Sequence, residues 1–182
     1  MPLPATFHRL ASELKYRGSL ISVTRDTFAG PDGQPFERDV VHHPGAVSVV
    51  PVLESGEVML VRQYRAAVDA ELLELVAGKR DVADEPPEET ARRELAEEIG
   101  MQPGKLLLLA RFFNSPGFCD EFSYTFLARD LKPVPSSAQG IEEQHMTIHR
   151  IALDDVPALI LSGDIVDAKT IIGLTLARQL LE

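Results

Sequence analysis

The sequence predicts an α/β (α+β) sandwich, and three observations support this. Runs of β-branched and apolar residues are interrupted by a few helical patterns, without the regular strand–helix repeat of a barrel. The 182 residues are enough for one ordinary domain with its own core, which argues against two large domains. A composition of 45% hydrophobic and 25% charged residues is typical of folded globular chains.

The first 45 residues are expected to form an arm and a β-hairpin in front of the main domain, which we expect to span residues 46–182. Phe7, Leu10 and Leu14 are spaced by three and four, which predicts a short amphipathic helix, or an arm that packs on another surface, over residues 5–16. Two strands joined by the turn-forming Gly30-Pro31-Asp32-Gly33 follow, over residues 18–28 and 36–43.

The remaining elements follow from hydrophobic periodicity and turn signals. Further strands are predicted over residues 46–53, 57–64, 72–76, 105–113, 121–128 and 146–151. A helix is predicted over 86–99, because Pro86 and Pro87 suit a first turn and Gly100 suits a C-terminal stop. The polar stretch 132–143 is predicted as a loop, and helices are expected over 154–161 and 168–181.

Charge and cysteine content exclude several classes of function. The 28 acidic and 18 basic residues leave a formal net charge of -10, which argues against nucleic-acid and membrane partners. Cys119 is the only cysteine, so an internal disulfide and a cysteine-based zinc site are excluded. No apolar run resembles a signal peptide or a transmembrane span. We therefore expect a cytoplasmic protein.

Three carboxylates share one face of the helix predicted over 86–99. Glu94 lies three and four residues before Glu97 and Glu98, and like charges at this spacing destabilise a helix unless cations bind there. Oxygen donors without histidine or thiolate favour Mg²⁺ or Mn²⁺ over zinc. The alternative is a solvated surface helix in which Arg93 pairs with Glu97.

The residues around this helix resemble the Nudix box. The pattern begins with Gly78 and Glu85 and continues as Arg93-Glu94-Leu95-x-Glu97-Glu98-x-Gly100-Met101. One departure is present, because six residues instead of the usual five separate Gly78 from Glu85. An extra loop residue costs little and leaves the helix-borne residues in place.

Within that superfamily the chain looks like the ADP-ribose pyrophosphatases. Four further segments carry this similarity: Arg62-Gln63-Tyr64-Arg65, Glu74-Leu75-Val76-Ala77-Gly78, Ser115-Pro116-Gly117-Phe118 and Glu142-Glu143. Pro116 also follows the box by about fifteen residues, a spacing associated with this subfamily, although Ser-Pro-Gly is an ordinary turn as well.

The resemblance implies a Nudix-type α/β/α sandwich with a mixed sheet and an N-terminal β-hairpin arm. It implies Mg²⁺-dependent hydrolysis of ADP-ribose to AMP and ribose 5-phosphate, with Mn²⁺ as a substitute. By the same resemblance, Glu94 and Glu98 would be the principal metal ligands and Glu97 a third or shared one. The backbone carbonyl of Ala77, beside Gly78, would be a further ligand.

The same resemblance implies the other site residues. Glu85 and Arg93 would form a supporting ion pair, and the general base would be Glu143 or its neighbour Glu142, with Glu143 preferred. An acidic loop is also common simply because it is solvated. Substrate-binding residues would be Arg65 at the diphosphate, Arg38 near the adenosine, and Pro116 and Gly117.

A homodimer is expected, because the apolar hairpin needs a covering surface and N-terminal strands are commonly exchanged in this family. Two other functions compete with ADP-ribose hydrolysis. The first is hydrolysis of another nucleotide-sugar such as GDP-mannose, because the loops that select the base cannot be placed from sequence. A sensor that binds a nucleotide without cleaving it is the third reading, disfavoured by the intact carboxylates of the box.

Overall fold

The computed structural model describes residues 6–136 and 141–182, without the side chains of Glu142 and Glu143. The chain divides into two compact units. The first comprises Met1–Gly45 and Phe113–Phe122, and the second comprises Ala46–Phe112 and Ser123–Glu182. Within the described residues, no helix is long and apolar enough to cross a bilayer.

The first unit is built on a three-stranded antiparallel sheet in the order β1-β2-β3. The strands are β1 (His8–Arg17), β2 (Ser22–Ala29) and β3 (Pro35–His42). The helical alternative for residues 5–16 is wrong, because β1 is a strand whose backbone pairs with β2. Leu10, Leu14 and Tyr16 are also separated by even numbers, which is a strand period, and pairing with a neighbour decided between the two.

The segment Phe113–Phe122 belongs to the first unit because β3 and the residue after it bind it. The backbone N–H of Val41 donates to the carbonyl of Phe118 at 2.8 Å, and the N–H of Asp120 donates to the carbonyl of Val41 at 3.0 Å. The Asp120 carboxylate accepts a hydrogen bond from the backbone N–H of His43 at 2.9 Å and lies 2.6 Å from Nδ1 of His42. This segment is thereby attached to the N-terminal sheet within the first unit.

The second unit contains two sheets. A four-stranded mixed sheet has the order β7-β4-β9-β8, in which β4 runs parallel to β9 and antiparallel to β7, and a three-stranded antiparallel sheet has the order β10-β5-β6. The strands are β4 (Ala46–Pro51), β5 (Glu57–Arg65), β6 (Ala70–Glu74), β7 (Val76–Lys79), β8 (Met101–Phe113), β9 (Phe122–Pro133) and β10 (Thr147–Ala152). The helices are α1 (Pro87–Ile99), α2 (Ile141–Gln144), α3 (Val156–Ser162) and α4 (Ala168–Leu181).

Two apolar clusters cover opposite faces of these strands, which makes the expected sandwich. Val47 and Val49 of β4 pack in the cluster that contains Leu95 of α1, whereas Val50 packs in the cluster that contains Leu174 of α4. Strand β9 divides in the same way, with Phe126 and Ala128 on the α1 side and Leu127 on the α4 side. Side chains alternate along a strand, so one strand can cover two helix layers.

Two central predictions need correction. The stretch 72–76 is not one strand, because β6 ends at Glu74 and β7 begins at Val76. Between them the backbone N–H of Leu75 donates to Oγ1 of Thr170 on α4 at 2.9 Å, a long-range contact that local sequence cannot show. The loop predicted over 132–143 is also wrong at its ends, where β9 reaches Pro133 and α2 contains Glu142 and Glu143; residues 137–140 lie outside the described residues.

Candidate active site

Helix α1 carries the acidic residues that the sequence singled out, and its bounds agree with the prediction. Pro87 opens the helix, and Gly100 ends it in a left-handed conformation with φ 63°. Leu95 is fully buried in the core and fixes the rotation of the helix. Glu94 and Glu98 are only 7% exposed each, so the carboxylates lie at the edge of the core and not on a solvated face.

A single guanidinium joins three of the carboxylates. Nη1 of Arg93 donates to Oε1 of Glu94 at 2.7 Å and to Oε2 of Glu97 at 3.1 Å, while Nη2 approaches Oε2 of Glu85 at 3.5 Å. Burial disfavours the charged guanidinium, but the negative charges of Glu94, Glu85 and Glu97 outweigh it and raise the pKa of Arg93 above its ordinary value. Arg93 therefore stays charged and holds the acidic group together.

Glu85 is itself held by a second residue of α1. The hydroxyl of Thr90 donates to Oε2 of Glu85 at 2.7 Å, and Thr90 is fully buried. This hydrogen bond, together with that from Arg93, lowers the pKa of Glu85 against the opposing effect of burial. The loop that precedes α1 is thus attached to the helix at the position of the supporting ion pair.

Gly78 permits the close approach of Glu94. A Cβ at position 78 would lie 1.9 Å from the carboxyl carbon of Glu94, so the carboxylate would have to move away from this position. Glycine therefore lets the Glu94 carboxylate rest directly against the backbone of β7, next to Ala77. Gly78, the first glycine of the box, therefore leaves space for the Glu94 carboxylate.

The chemistry of these donors fits a hard divalent cation. The described part of the chain holds no three His, Cys, Asp or Glu side chains gathered closely enough around one point to bind a metal ion, and Glu94 and Glu97 instead contact Arg93. The helix nevertheless offers carboxylate oxygens only, beside a backbone stretch kept open by Gly78. A cation bound here would compete with Arg93 for the two carboxylates.

A second charged cluster surrounds Glu74, at the end of β6. Nε and Nη2 of Arg65 donate to the two carboxylate oxygens of Glu74 at 2.8 and 2.7 Å, and the side chain of Glu74 is 1% exposed. Nζ of Lys169 contacts the same carboxylate and lies 2.8 Å from Oδ1 of Asp167. Burial raises the pKa of Glu74, but the hydrogen bonds and charges of Arg65 and Lys169 outweigh it and leave that pKa below its ordinary value.

Arg65 lies within electrostatic reach of one carboxylate of α1, that of Glu98. Its hydrogen bond to Glu74 is the largest cause of its raised pKa, and the charges of Asp167 and Glu98 contribute further. The prediction placed Arg65 at the diphosphate, and the structure adds that its guanidinium is oriented by a buried carboxylate. A cationic group therefore stands near the acidic patch of α1.

The other predicted substrate residues lie in the first unit. Arg38 is on β3, where its guanidinium stacks over the ring of Phe36 at 4.9 Å and donates to the carbonyl of Glu37 at 2.7 Å. Pro116 and Gly117 lie in the turn of the segment Phe113–Phe122, and a Cβ at Gly117 would meet nothing within 4 Å. Space alone therefore does not require glycine at position 117.

Sequence reasoning missed three residues of these clusters: Thr90, Glu74 as an ion, and Lys169. Glu74 had a usable signal, because a lone carboxylate between leucines is buried only when cations accompany it. No sequence signal pointed to Thr90 or Lys169. Thr90 looks like an ordinary residue of the helix, and Lys169 lies 95 residues from its partner Glu74.

Comparison with known sequences identifies the family of the chain. The sequence profile of the NUDIX domain matches residues 42–171. The chain is 35% identical to the ADP-ribose pyrophosphatase of Bacillus subtilis (strain 168), over 88% of this chain and 86% of that protein. It is 36% identical to the ADP-ribose pyrophosphatase of Mycobacterium tuberculosis, over 92% of this chain and 81% of that protein. The chain therefore belongs to the Nudix family, and it is a Nudix hydrolase.

Two further similarities bear on fold and substrate. A solved structure described as an ADP compounds hydrolase superimposes with a TM-score of 0.84 over 96% of this chain and 94% of that one, at 24% identity. This similarity supports the Nudix-type fold, including its mixed sheet. The GDP-mannose pyrophosphatase of Citrobacter koseri is 29% identical over 75% of this chain and 78% of that protein.

Proposed function

We propose that this Nudix hydrolase cleaves the diphosphate linkage of ADP-ribose to AMP and ribose 5-phosphate, with Mg²⁺ bound at α1 and Mn²⁺ as a substitute. The observation that carries the proposal is the acidic patch of α1, where Arg93 joins Glu94 and Glu97 beside a backbone kept open by Gly78. The two ADP-ribose pyrophosphatases, with more than a third of their aligned residues identical, support the choice of substrate.

The metal would be held by carboxylate oxygens. Glu94 and Glu98 provide the principal ligands, Glu97 a third or shared one, and the backbone carbonyl of Ala77 a further one. Bound there, Mg²⁺ would supply positive charge that neutralises the diphosphate and would help to activate the attacking water. Arg93 and Glu85 orient the ligands, because their contacts with each other and with Glu94 set where the helix carboxylates point.

The chain's own groups perform the remaining steps. Arg65 binds diphosphate oxygens through its guanidinium, which Glu74 orients. Water attacks one phosphorus, the bridging P–O bond breaks, and the water's proton passes to Glu143 of α2, with Glu142 as the alternative base. Arg38 would lie near the adenosine, and Pro116 and Gly117 would be further substrate-binding residues. The products are two phosphate monoesters, AMP and ribose 5-phosphate.

The direct test is purified protein with ADP-ribose, with Mg²⁺ and with excess EDTA, with both products separated by chromatography. We expect AMP and ribose 5-phosphate in equal amounts, and only with the metal. Binding of ADP-ribose without release of AMP under either condition would contradict the proposal.

The choice of base has its own test. Glu143→Gln should abolish turnover and leave the affinity for ADP-ribose unchanged, whereas Glu142→Gln on the same helix is the matched control. Loss of turnover in Glu142→Gln alone would move the role to its neighbour.

GDP-mannose is the second candidate substrate, because the GDP-mannose pyrophosphatase of Citrobacter koseri is also similar to this chain. The acidic patch of α1 would serve either diphosphate. Side-by-side values of kcat/KM on ADP-ribose and GDP-mannose separate the two, and a much higher value on GDP-mannose would reverse the order.

A homodimer formed through the N-terminal sheet is part of the proposal. Strand β1 is exposed along its length, and Leu10, Leu14 and Tyr16 are 57%, 50% and 57% exposed. Apolar side chains on a strand at the edge of a sheet favour association with a second copy. Sedimentation of the wild type should give a dimer, and Leu10→Asp with Leu14→Asp should give a monomer; a wild-type monomer at micromolar concentration would contradict this.

A further inference from the structure

We propose that Lys169, on the first turn of α4, is a positioning residue that keeps the charge of Arg65 available for the diphosphate. The inference rests on the proposed function, because it takes the contact of Arg65 with the diphosphate from there. The geometry that carries it is the shared carboxylate of Glu74, which two cations contact from different elements of the fold.

The contact with Glu74 occupies only part of the Arg65 guanidinium. Nε and Nη2 each donate to one carboxylate oxygen, which fixes the plane of the guanidinium. Within residues 6–136 and 141–182, Nη1 has no hydrogen-bond partner, and the side chain is 39% exposed. Arg65 therefore has an oriented, unused edge from which to donate to a ligand.

Lys169 is held on Glu74 by the fold. Its side chain is 15% exposed, and its ammonium group lies between the carboxylates of Glu74 and Asp167. Asp167 also accepts from the backbone N–H of Thr170 at 3.0 Å, which caps α4, and Thr170 accepts from the N–H of Leu75. These contacts join the start of α4 to the residue after Glu74, so the backbone of Lys169 is held next to the carboxylate that its ammonium group contacts.

The charge balance explains why a second cation is present. Without Lys169, the Arg65 guanidinium would face the carboxylates of Glu74 and Asp167 alone, and the cluster would carry one negative charge that repels an anion. With Lys169, two cations balance the two carboxylates, so Arg65 does not have to neutralise both of them. Asp167 is in turn stabilised by the positive end of α4 and by its hydrogen bonds from Thr170. Lys169 thus determines how strongly the Arg65 guanidinium can attract the diphosphate.

A purely structural ion pair between α4 and β6 is the competing explanation. Such a pair would affect the free energy of unfolding but not the affinity for the diphosphate. Lys169→Met removes the charge and keeps most of the apolar length, and Lys169→Arg keeps the charge. The measurements are kcat and KM for ADP-ribose with Mg²⁺, and the calorimetric Kd of ADP-ribose in EDTA.

We expect Lys169→Met to raise KM and Kd about tenfold, the factor that corresponds to about 1.4 kcal/mol, with kcat within about twofold of wild type. Lys169→Arg should restore both constants. In an Arg65→Ala background, Lys169→Met should have no further effect on either constant, because it acts through Arg65.

The failures of the two proposals are distinguishable. Unchanged KM and Kd in folded Lys169→Met, or a tenfold rise that persists in the Arg65→Ala background, overturns the positioning role while hydrolysis of ADP-ribose stands. Unchanged constants in Arg65→Ala overturn the diphosphate contact and the inference with it. If Lys169→Met does not fold, Asp167→Asn with Lys169→Met decides, because this pair of changes removes one positive and one negative charge, leaves Glu74 on Arg65, and should keep KM within about twofold of wild type. A tenfold rise there overturns the role.

Discussion

The two charged clusters of the second unit are arranged in opposite ways. In the α1 cluster one arginine, Arg93, is shared by the carboxylates of Glu85, Glu94 and Glu97. In the Glu74 cluster one carboxylate is shared by Arg65 and Lys169. The first has surplus negative charge and suits a cation, whereas in the second Lys169 balances the carboxylates of Glu74 and Asp167 beside Arg65. In the proposed function this charge separation would let an acidic chain bind both a metal ion and a diphosphate.

The clusters also differ in what assembles them. Three of the four residues of the α1 cluster lie on one helix, so the 3.6-residue period brings them together. The Glu74 cluster takes Arg65 from β5, Glu74 from β6 and Lys169 from α4, so only the folded chain brings it together. The α1 cluster can therefore be predicted from the sequence, and the Glu74 cluster cannot.

The largest expected effect comes from removing the charge of Glu98, a proposed metal ligand on α1, without changing the shape of its side chain. Glu98→Gln should lower kcat by orders of magnitude, because a neutral amide is a poor ligand for Mg²⁺, while the melting temperature stays near that of the wild type. Glu89→Gln, an exposed residue on the same helix, is the control and should keep full activity. Near-normal turnover by folded Glu98→Gln would refute the metal site.

A smaller effect is expected from the buried hydroxyl that supports this cluster. Thr90→Val keeps the side-chain shape but removes the hydrogen bond to Glu85, so the free energy of unfolding should fall by about 1–3 kcal/mol. The Mg²⁺ concentration for half-maximal activity should also rise severalfold, because Glu85 then holds Arg93 less firmly. Thr90→Ser retains the hydroxyl and should behave like the wild type. A valine variant with unchanged stability and Mg²⁺ dependence would show that Glu85 needs no such support.

The smallest effect concerns acid stability and tests the Glu74 cluster. Because the folded-state pKa of Glu74 is below its ordinary value of 4.5, its ionised form stabilises the fold above pH 4.5, and this contribution is lost as the pH falls through the lower folded-state value. The difference in free energy of unfolding between wild type and Glu74→Gln should therefore narrow as the pH falls below 4.5. Urea titrations at neutral and acidic pH measure it. A constant difference would mean that Glu74 does not titrate with a lowered pKa.

Local signals predicted the elements that depend on a few neighbouring residues. Helix α1 begins and ends within a residue of its prediction because Pro87 and Gly100 act on the adjacent backbone. Strand β1 was missed as a strand because its period was ambiguous, and α2 because four residues carry almost no periodicity. Pairing with β2 decided the conformation of β1.

The sequence by itself determined the Nudix box and the helix that carries it, because the spacing of Glu94, Glu97 and Glu98 on a helix is a local property of the chain. The sequence also determined the types of side chain that this helix carries. Only the tertiary structure decided that Gly78 makes room for Glu94, that Thr90 holds Glu85, and that Lys169 shares Glu74 with Arg65. These contacts depend on the approach of separate elements, and packing of the whole core sets that approach.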